Sequence, residues 1–366
     1  MSDSEALERI LAALEEADGA LAEALDKRAR ATLELRQLRE KEPDGYFRVP
    51  REEEVIARAR GVISDFPGGA IEPVWREILG GCRSLIAPQI VAYQGSAGGF
   101  AHLAARRRFG STTEFRSFQT VPEVLEEVSR GRADWGVLPL ETSSDGAITA
   151  TLHGLADGDV RISGEVTVHT NYHLLSGTGN ATDIDKVYGS RGALAACERF
   201  LQSELPRATV IDVPSGQVAA ELAREDHGAA VIGTAMLQEL HHLHIARERI
   251  EDAAGRETRY AMVGSELPSR TGRDRTVLAM AVSDAPGALY NTLKPFADRD
   301  INLTRLESRP TQGAAWRYLF FVEMDGHVTD RPLLTALEEL RNVSRHVKVL
   351  GSYPRPETSG SEERNS

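Results

Sequence analysis

Residues 4–41 contain no proline and a single glycine, Gly19. Leu7, Leu11, Leu14, Leu21, Leu25 and Leu35 recur at alternating steps of four and three once Asp18, Arg28, Thr32 and Arg39 fill the gaps in the seam. That period predicts one long amphipathic α-helix. "EPDGY" at 42–46 ends it. Pro50 predicts the start of a second helix, "REEEVIARARGVIS", and Pro73 the start of a third, "VWREILGGCRSLIA". So long a seam has too few partners within one chain, which predicts a homodimer or higher homo-oligomer through the helices. Arg28 and Arg39 stand about three helical turns apart and share the apolar face. An arginine buried there needs an anionic partner: a bound ligand, or an acid such as Asp18 or Glu52 across a dimer.

From Gln89 the period changes. "QIVAY", "TEFRSF", "DWGVLPL", "VTVHTNYHLL", "KVYG", "ATVIDV" and "AAVIG" read as strands. Helical stretches such as "VPEVLEEVSRG", "ALAACERFLQSE" and "SGQVAAELARE" lie between them. The alternation predicts an α/β architecture with mainly parallel strands, in two lobes around a cleft. "SELPSRTGRDR" reads as a linker. From Arg275 the order becomes strand, helix, strand, strand, helix, strand, a ferredoxin-like βαββαβ unit. The chain is thus expected to be multidomain: all-α residues 1–88, α/β residues 89–266 and α+β residues 275–356, with a polar tail at 357–366 read as disordered.

Composition narrows the partners. A formal net charge of −12 argues against nucleic acid or an anionic membrane surface. No apolar run approaches the roughly 20 residues that span a bilayer. The N-terminus lacks the apolar core of a signal peptide. Two distant cysteines, Cys82 and Cys197, suit a reducing cytoplasm. "HHLH" at 241–244 has no cysteine or carboxylate beside it at ligand spacing, so no metal site and no cofactor are expected. "RRR" at 106–108 reads as a solvated helix face.

The order of units and "PGALYNTLKPFADRDINLTRLESRP" at 286–310 resemble the bifunctional P-protein family, in which chorismate mutase, prephenate dehydratase and a C-terminal ACT domain share one polypeptide. The resemblance implies a phenylalanine site lined by Gly287, Ala288, Leu289, Asn302, Leu303, Glu307, Ser308 and Arg309. There a bend after the strand would present Glu307 and Arg309 to a zwitterion, or these two would brace the loop by pairing with neighbours. "WGVLPLETSSDGAI" at 135–148 resembles the family's strand ending in Glu-Asn-Ser, and "RETRYAMVG" at 256–264 its Thr-Arg-Phe motif, with Tyr260 for Phe. "VAYQGSAGGFAHLAA" resembles its N-terminal strand and glycine-rich turn, where Gly95, Gly98 and Gly99 would let backbone N–H groups approach a carboxylate.

The implied reaction dehydrates and decarboxylates prephenate. The implied catalytic residues are Glu141, Thr142, Ser143, Thr258 and Arg259. Thr258 would donate to the leaving hydroxyl, and Arg259 would bind a carboxylate or hold the loop. In the helical domain the resemblance implies chorismate contacts from Arg28, Arg39, Arg51 and Glu52. The chain departs from the family elsewhere. Thr142 stands for an Asn, Gly189 to Gly192 replace a Ser-His-Pro-Gln run, and Ala196 stands for a Gln. Leu11 and Arg48 stand for an Arg and an Asp, and Cys82 and Ile86 for a polar pair. The expected function is therefore prephenate dehydratase under phenylalanine control, with mutase turnover left open. A non-aromatising prephenate decarboxylase and a catalytically silent phenylalanine-binding regulator stay open beside it.

Overall fold

The computed structural model describes residues 3–41, 52–283, 285–310, 318–344 and 346–355, with the side chains of 39–41 and 53 excepted. Arg51, the side chain of Arg39 and the tail at 357–366 lie outside the described residues. The chain divides into two compact units, Met1–Gln89 with Arg106–Glu114, and Ile90–Ala105 with Phe115–Ser366.

The first unit holds α1 (Asp3–Lys41), α2 (Glu52–Val62) and α3 (Gly68–Ile86). The predicted seam of α1 is only partly covered. Leu7, Leu11, Leu14, Leu21 and Leu25 remain exposed, whereas Ile56, Ile71 and Leu79 of α2 and α3 are buried. The third helix begins five residues before Pro73 and carries that proline inside it. Pro67, at the N-cap with φ −53°, starts the helix instead.

The chain continues with β1 (Ile90–Gln94), α4 (Phe100–Phe109), β2 (Glu114–Phe118), α5 (Val121–Ser129), β3 (Trp135–Thr142), β4 (Gly146–Ala147), α6 (Thr149–Asp157) and β5 (Arg161–His169), of which Arg106–Glu114 belong to the first unit and the rest to the second. A second lobe follows: β6 (His173–Ser176), β7 (Lys186–Gly189), α7 (Arg191–Ala196), α8 (Glu198–Glu204), β8 (Thr209–Asp212), α9 (Gly216–Glu225), β9 (Ala229–Gly233), α10 (Met236–His241) and β10 (His244–Arg247). β11 (Glu257–Gly264) returns to the first lobe. The expected βαββαβ unit is β12 (Asp274–Ala281), α11 (Ala288–Ala297), β13 (Leu303–Pro310), β14 (Tyr318–Asp325), α12 (Arg331–Val343) and β15 (His346–Pro354).

Local sequence explains the punctuation. Thr120 and Glu123 form a capping box that starts α5, and Val121, Val124, Leu125 and Val128 bury one face of it. "VTVHTNYHLL" is two strands rather than one, because Thr170–Tyr172 carry the chain from the sheet of one lobe to that of the other.

One lobe contributes to a ten-stranded sheet of order β13-β14-β12-β15-β5-β11-β3-β1-β2, with β4 beside β3. The other lobe is a five-stranded sheet, β10-β6-β9-β7-β8. The expectation of mainly parallel strands is corrected. β1–β3, β7–β8 and β7–β9 are parallel, but β11 runs antiparallel between β3 and β5, and β6 runs antiparallel to β9 and β10. Strands that carry the chain between lobes come back in the reverse direction, so both sheets are mixed. The βαββαβ sheet joins the lobe through β15 and β5 at Gly351 opposite Ile162. A Cβ on Gly351 would lie 2.6 Å from Ile162 Cβ and from its carbonyl oxygen, so only glycine permits this junction. The core of the lobe, with Leu138, Leu140, Leu155 and Ile162, continues into Val277, Ala279 and Phe321. Among the described residues no helix is long and apolar enough to cross a membrane.

Candidate functional site

The motifs at 135–148 and 256–264 lie side by side. β3 and β11 pair antiparallel, with Thr142 opposite Thr258 and Glu141 opposite Arg259. Successive strand residues face opposite ways. The two threonines therefore share one face of the sheet, and Glu141 and Arg259 share the other.

On the threonine face, Thr258 is buried and its Oγ1 lies 3.4 Å from Thr170 Oγ1, beside the crossing between the lobes. The buried Tyr260 phenol also hydrogen-bonds the Thr258 side chain. Burial, and then the neighbouring Tyr172, raise the Tyr260 pKa above the usual phenol value, so it stays neutral. Burial likewise pushes Tyr172 up to about 12. The Tyr172 ring meets Phe100 edge-on at 5.2 Å. Thr142 accepts from Asp145 N at 2.9 Å in a tight hairpin. Ser143 Oγ accepts from Glu257 N at 3.0 Å, so this predicted residue ties the hairpin to β11.

On the opposite face stands an ion-pair network. Arg259 donates to Glu141 Oε2 at 2.6 Å, Glu165 Oε1 at 2.5 Å and Glu323 Oε1 at 3.2 Å. Arg275 donates to Glu165 Oε2 at 2.8 Å, and the fully buried Tyr353 hydroxyl donates to Glu165 Oε1 at 2.6 Å. Arg305 pairs with Glu141 and, at 2.9 Å, with Glu307, which also pairs with Arg309. Burial alone would lower the Arg259 pKa, but Glu165 and Glu323 outweigh it and raise it. Four arginines thus meet four glutamates. The Arg259 guanidinium is held by carboxylates on the face away from Thr258.

The glycine-rich turn also differs from expectation. Gly95 N donates to Phe118 O at 2.8 Å, Gly98 N to His102 Nδ1 at 3.1 Å and Gly99 N to Ser96 O at 3.1 Å. These three N–H groups are engaged within the fold, which removes them as carboxylate donors. Gly98, with φ 75°, is required for another reason. A Cβ there would meet Leu237 Cδ2 at 2.3 Å, so the turn packs tightly against the second lobe. In that lobe Ser190 caps α7 by accepting from Ala193 N at 3.5 Å, and Arg191 is exposed beside Asp212.

The "LESRP" stretch is strand through Pro310 rather than a bend, with Glu307 opposite Phe321 and Pro310 opposite Tyr318. A bulge between Leu303 and Arg305 changes the facing of the side chains. Leu303 packs with Leu289 and Phe320 in the core beneath α11 and α12. Arg305 and Glu307 instead line a void of only about 10 Å³ with Leu140, Ala147, Leu152 and Phe321. Ser308, opposite Phe320, faces the helix side and is exposed. Gly287 stands at the N-cap of α11, and Asn302 donates to Asp325 at 2.9 Å. The eight residues named for phenylalanine therefore divide. Glu307 and Arg309 brace the opposite face, while Leu289, Leu303 and Ser308 lie on the helix side.

In the helical unit, Glu52 is surrounded by cations. It pairs with Arg83, with Arg108 at 2.7 Å and with Arg76 at 3.6 Å. Burial would raise the Glu52 pKa, yet Arg108 and Arg83 bring it below its ordinary value. Arg28 is half-buried, with its guanidinium 5.9 Å from the centre of the Trp75 ring.

The sequence reading missed Thr170, Glu165, Arg275, Arg305, Glu323 and Tyr353. The available signal was the lone carboxylate in an otherwise apolar strand: Glu323 in "LFFVEM" and Glu165 in "ISGEVTV" each demand a buried partner. Among the described residues no group of three or more His, Cys, Asp or Glu is placed to hold a metal.

The prephenate dehydratase family model matches residues 91–267, and the ACT domain model residues 276–342. A bifunctional chorismate mutase/prephenate dehydratase of Aquifex aeolicus is 38% identical over 290 residues, 79% of this chain and 80% of that protein. One of Pseudomonas aeruginosa is 32% identical over 362 residues, 97% of this chain and 99% of that protein. The crystal structure of a prephenate dehydratase from Arthrobacter aurescens in complex with L-Phe superposes with a TM-score of 0.65 at 32% identity, covering 73% of this chain and 90% of that one.

Proposed function

The chain belongs to the bifunctional chorismate mutase/prephenate dehydratase family, and from that premise we propose that it converts prephenate to phenylpyruvate in L-phenylalanine biosynthesis, with Thr258 as the proton donor. The observation that carries the proposal is the Thr142–Thr258 cross-strand pair, with Thr170 and Tyr260 against the Thr258 hydroxyl. A lone threonine hydroxyl is a poor acid. Here the Thr258 hydroxyl stands against Thr170 and the neutral Tyr260 phenol, and with prephenate bound it donates to the hydroxyl that leaves. The ring carboxylate departs as carbon dioxide, its bonding electrons complete the aromatic ring, and the hydroxyl takes up one proton to leave as water. Aromatisation supplies the driving force, so the site need only orient the dianion and hydrogen-bond the leaving group. Thr142 and Ser143 shape the hairpin beside Thr258. Glu141 and Arg259 hold the two strands from behind.

Residues 1–88 serve as the mutase-like domain, 89–266 as the dehydratase domain and 275–356 as the ACT domain, ahead of the tail at 357–366. Phenylalanine is the effector. Its site is built from Gly287, Ala288, Leu289, Asn302, Leu303 and Ser308 and is braced by Glu307 and Arg309. In the helical unit Arg28, Arg39 and Arg51 would meet chorismate, while Glu52 holds its surrounding arginines in place. The exposed leucines of α1 support a dimer or larger homo-oligomer. The free Cys82 and Cys197 support a cytoplasmic setting.

Incubation of the purified chain with prephenate tests the reading. Phenylpyruvate absorbance should rise with one carbon dioxide released per product. Carbon dioxide without phenylpyruvate would instead mean decarboxylation without aromatisation, and neither product would leave a regulatory protein.

A further inference from the structure

Two dipeptides each face both ways. Glu141–Thr142 and Thr258–Arg259 are aligned across the β3–β11 ladder, so the threonines present themselves to the candidate site while the charged residues enter the ion-pair network. That network does not end in the dehydratase strands. Arg305 reaches Glu141 from β13 and pairs on its own strand with Glu307 at 2.9 Å. Ser308, the next residue, faces the helix side of the same sheet. An event on the helix side of β13 is therefore one residue away from the network, and the network is one residue away from Thr142 and Thr258.

We propose that Arg305 is a positioning residue that couples the effector-domain strand β13 to the Thr142–Thr258 strand pair. The inference rests on the reading of phenylalanine as effector given above and extends it to a route. Three features make the route physical. β13 ends the ten-stranded sheet and has one strand neighbour, β14, so it shifts at the cost of a single ladder. The bulge at its start redirects Arg305 toward the lobe, whereas unbroken alternation would have placed it with Leu303 beneath the helices. Finally, two carboxylates are shared: Glu307 between Arg305 and Arg309, and Glu141 between Arg305 and Arg259. A shared carboxylate has two discrete pairings. Four arginines and four glutamates at close quarters cannot lose one contact without another re-forming, since an uncompensated charge there is disfavoured. When an amino acid draws Ser308 toward the helix side, Glu307 settles on Arg309, Arg305 is freed from Glu307, and Glu141 is repositioned beside Thr142. The coupling element is thus a two-state pairing that both sites bias.

The test uses the full chain with Arg305→Met, which keeps the apolar stem and removes the charge. Phenylalanine binding is read by calorimetry, and kcat/KM for prephenate is read with and without saturating phenylalanine. The wild type should show a ratio at least fivefold from unity. Arg305→Met should bind phenylalanine within about threefold of the wild type while its ratio falls to within twofold of unity. Arg305→Lys should recover part of the response, which a merely structural loss would not permit. If Arg305→Met fails to fold, Arg305→Gln, which keeps a polar side chain but removes the charge, should likewise bind phenylalanine within about threefold of the wild type while its ratio falls to within twofold of unity. A wild-type ratio of one would overturn the effector reading and the coupling together. A wild-type response that persists in the variants would overturn the coupling alone.

Discussion

The two units treat apolar surface in opposite ways. In the sheet-bearing unit Leu138 and Leu140 are 0% and 2% exposed, and four glutamates balance four arginines. In the helical unit Leu7, Leu14 and Leu21 are 58%, 57% and 59% exposed, while Glu52 faces Arg76, Arg83 and Arg108 and Glu72 also pairs with Arg76. The sheet-bearing unit completes its core and its charge balance from its own residues. The helical unit leaves the apolar seam of α1 uncovered, the property that a second copy would satisfy.

That contrast can be broken or sharpened by substitution. The largest effect is expected at Glu165, whose side chain is 1% exposed and which pairs with Arg259 and Arg275. Glu165→Gln should cost about 3–5 kcal/mol in denaturant unfolding, because it leaves buried guanidinium groups without their carboxylate. A loss below about 1 kcal/mol would show that the balance is incidental. Next, Thr258→Val should lower prephenate turnover by about a hundredfold or more, the typical contribution of a positioned proton donor, with fold and phenylalanine binding unchanged. Full activity in this variant would place the donor elsewhere.

The helical unit supplies the smaller effects. Leu14→Glu with Leu21→Glu should lower the assembly state seen by light scattering, since each buried leucine contributes about 1.5–3 kcal/mol to association. An unchanged mass would show that the seam of α1 is not the interface. The smallest effect is a pH dependence. The Glu52 pKa lies below its ordinary 4.5 in the folded chain. A depressed carboxylate stabilises the fold above the unfolded value, and that contribution is lost as pH falls through the folded one. Acidification from about pH 6 to about pH 3 should therefore destabilise the wild type more than Glu52→Gln, as measured by urea midpoints. Equal losses would remove Glu52 as the acid-sensitive group.

Much of this organisation was legible in the sequence because it depends on local period. The seam of α1, the strand–helix alternation and the βαββαβ order all follow from residue spacing within single elements. The pairing of "LET" with "ETR" across β3 and β11 was not legible, since it is a long-range register. For the same reason strand direction was misjudged: nothing in "RETRYAMVG" says that it inserts antiparallel between β3 and β5. The stretch through Pro310 was read as a bend, whereas it continues as strand paired with β14, with a bulge after Leu303 that local sequence does not announce. The glycines of the turn at 95–99 were read as open donors because sequence gives no account of where their N–H groups point. Glu323 and Glu165 stand as lone charges in apolar strands, a signal of the network that the sequence reading left unused.

The central claim is the proposal that prephenate turnover depends on Thr258 in the sheet-bearing unit. The most direct measurement supplies the same purified chain with prephenate and, separately, with chorismate, and follows phenylpyruvate formation and chorismate loss. The account predicts prephenate turnover abolished or nearly so by Thr258→Val, with weak or absent chorismate turnover. Robust chorismate consumption without prephenate dehydration would contradict it.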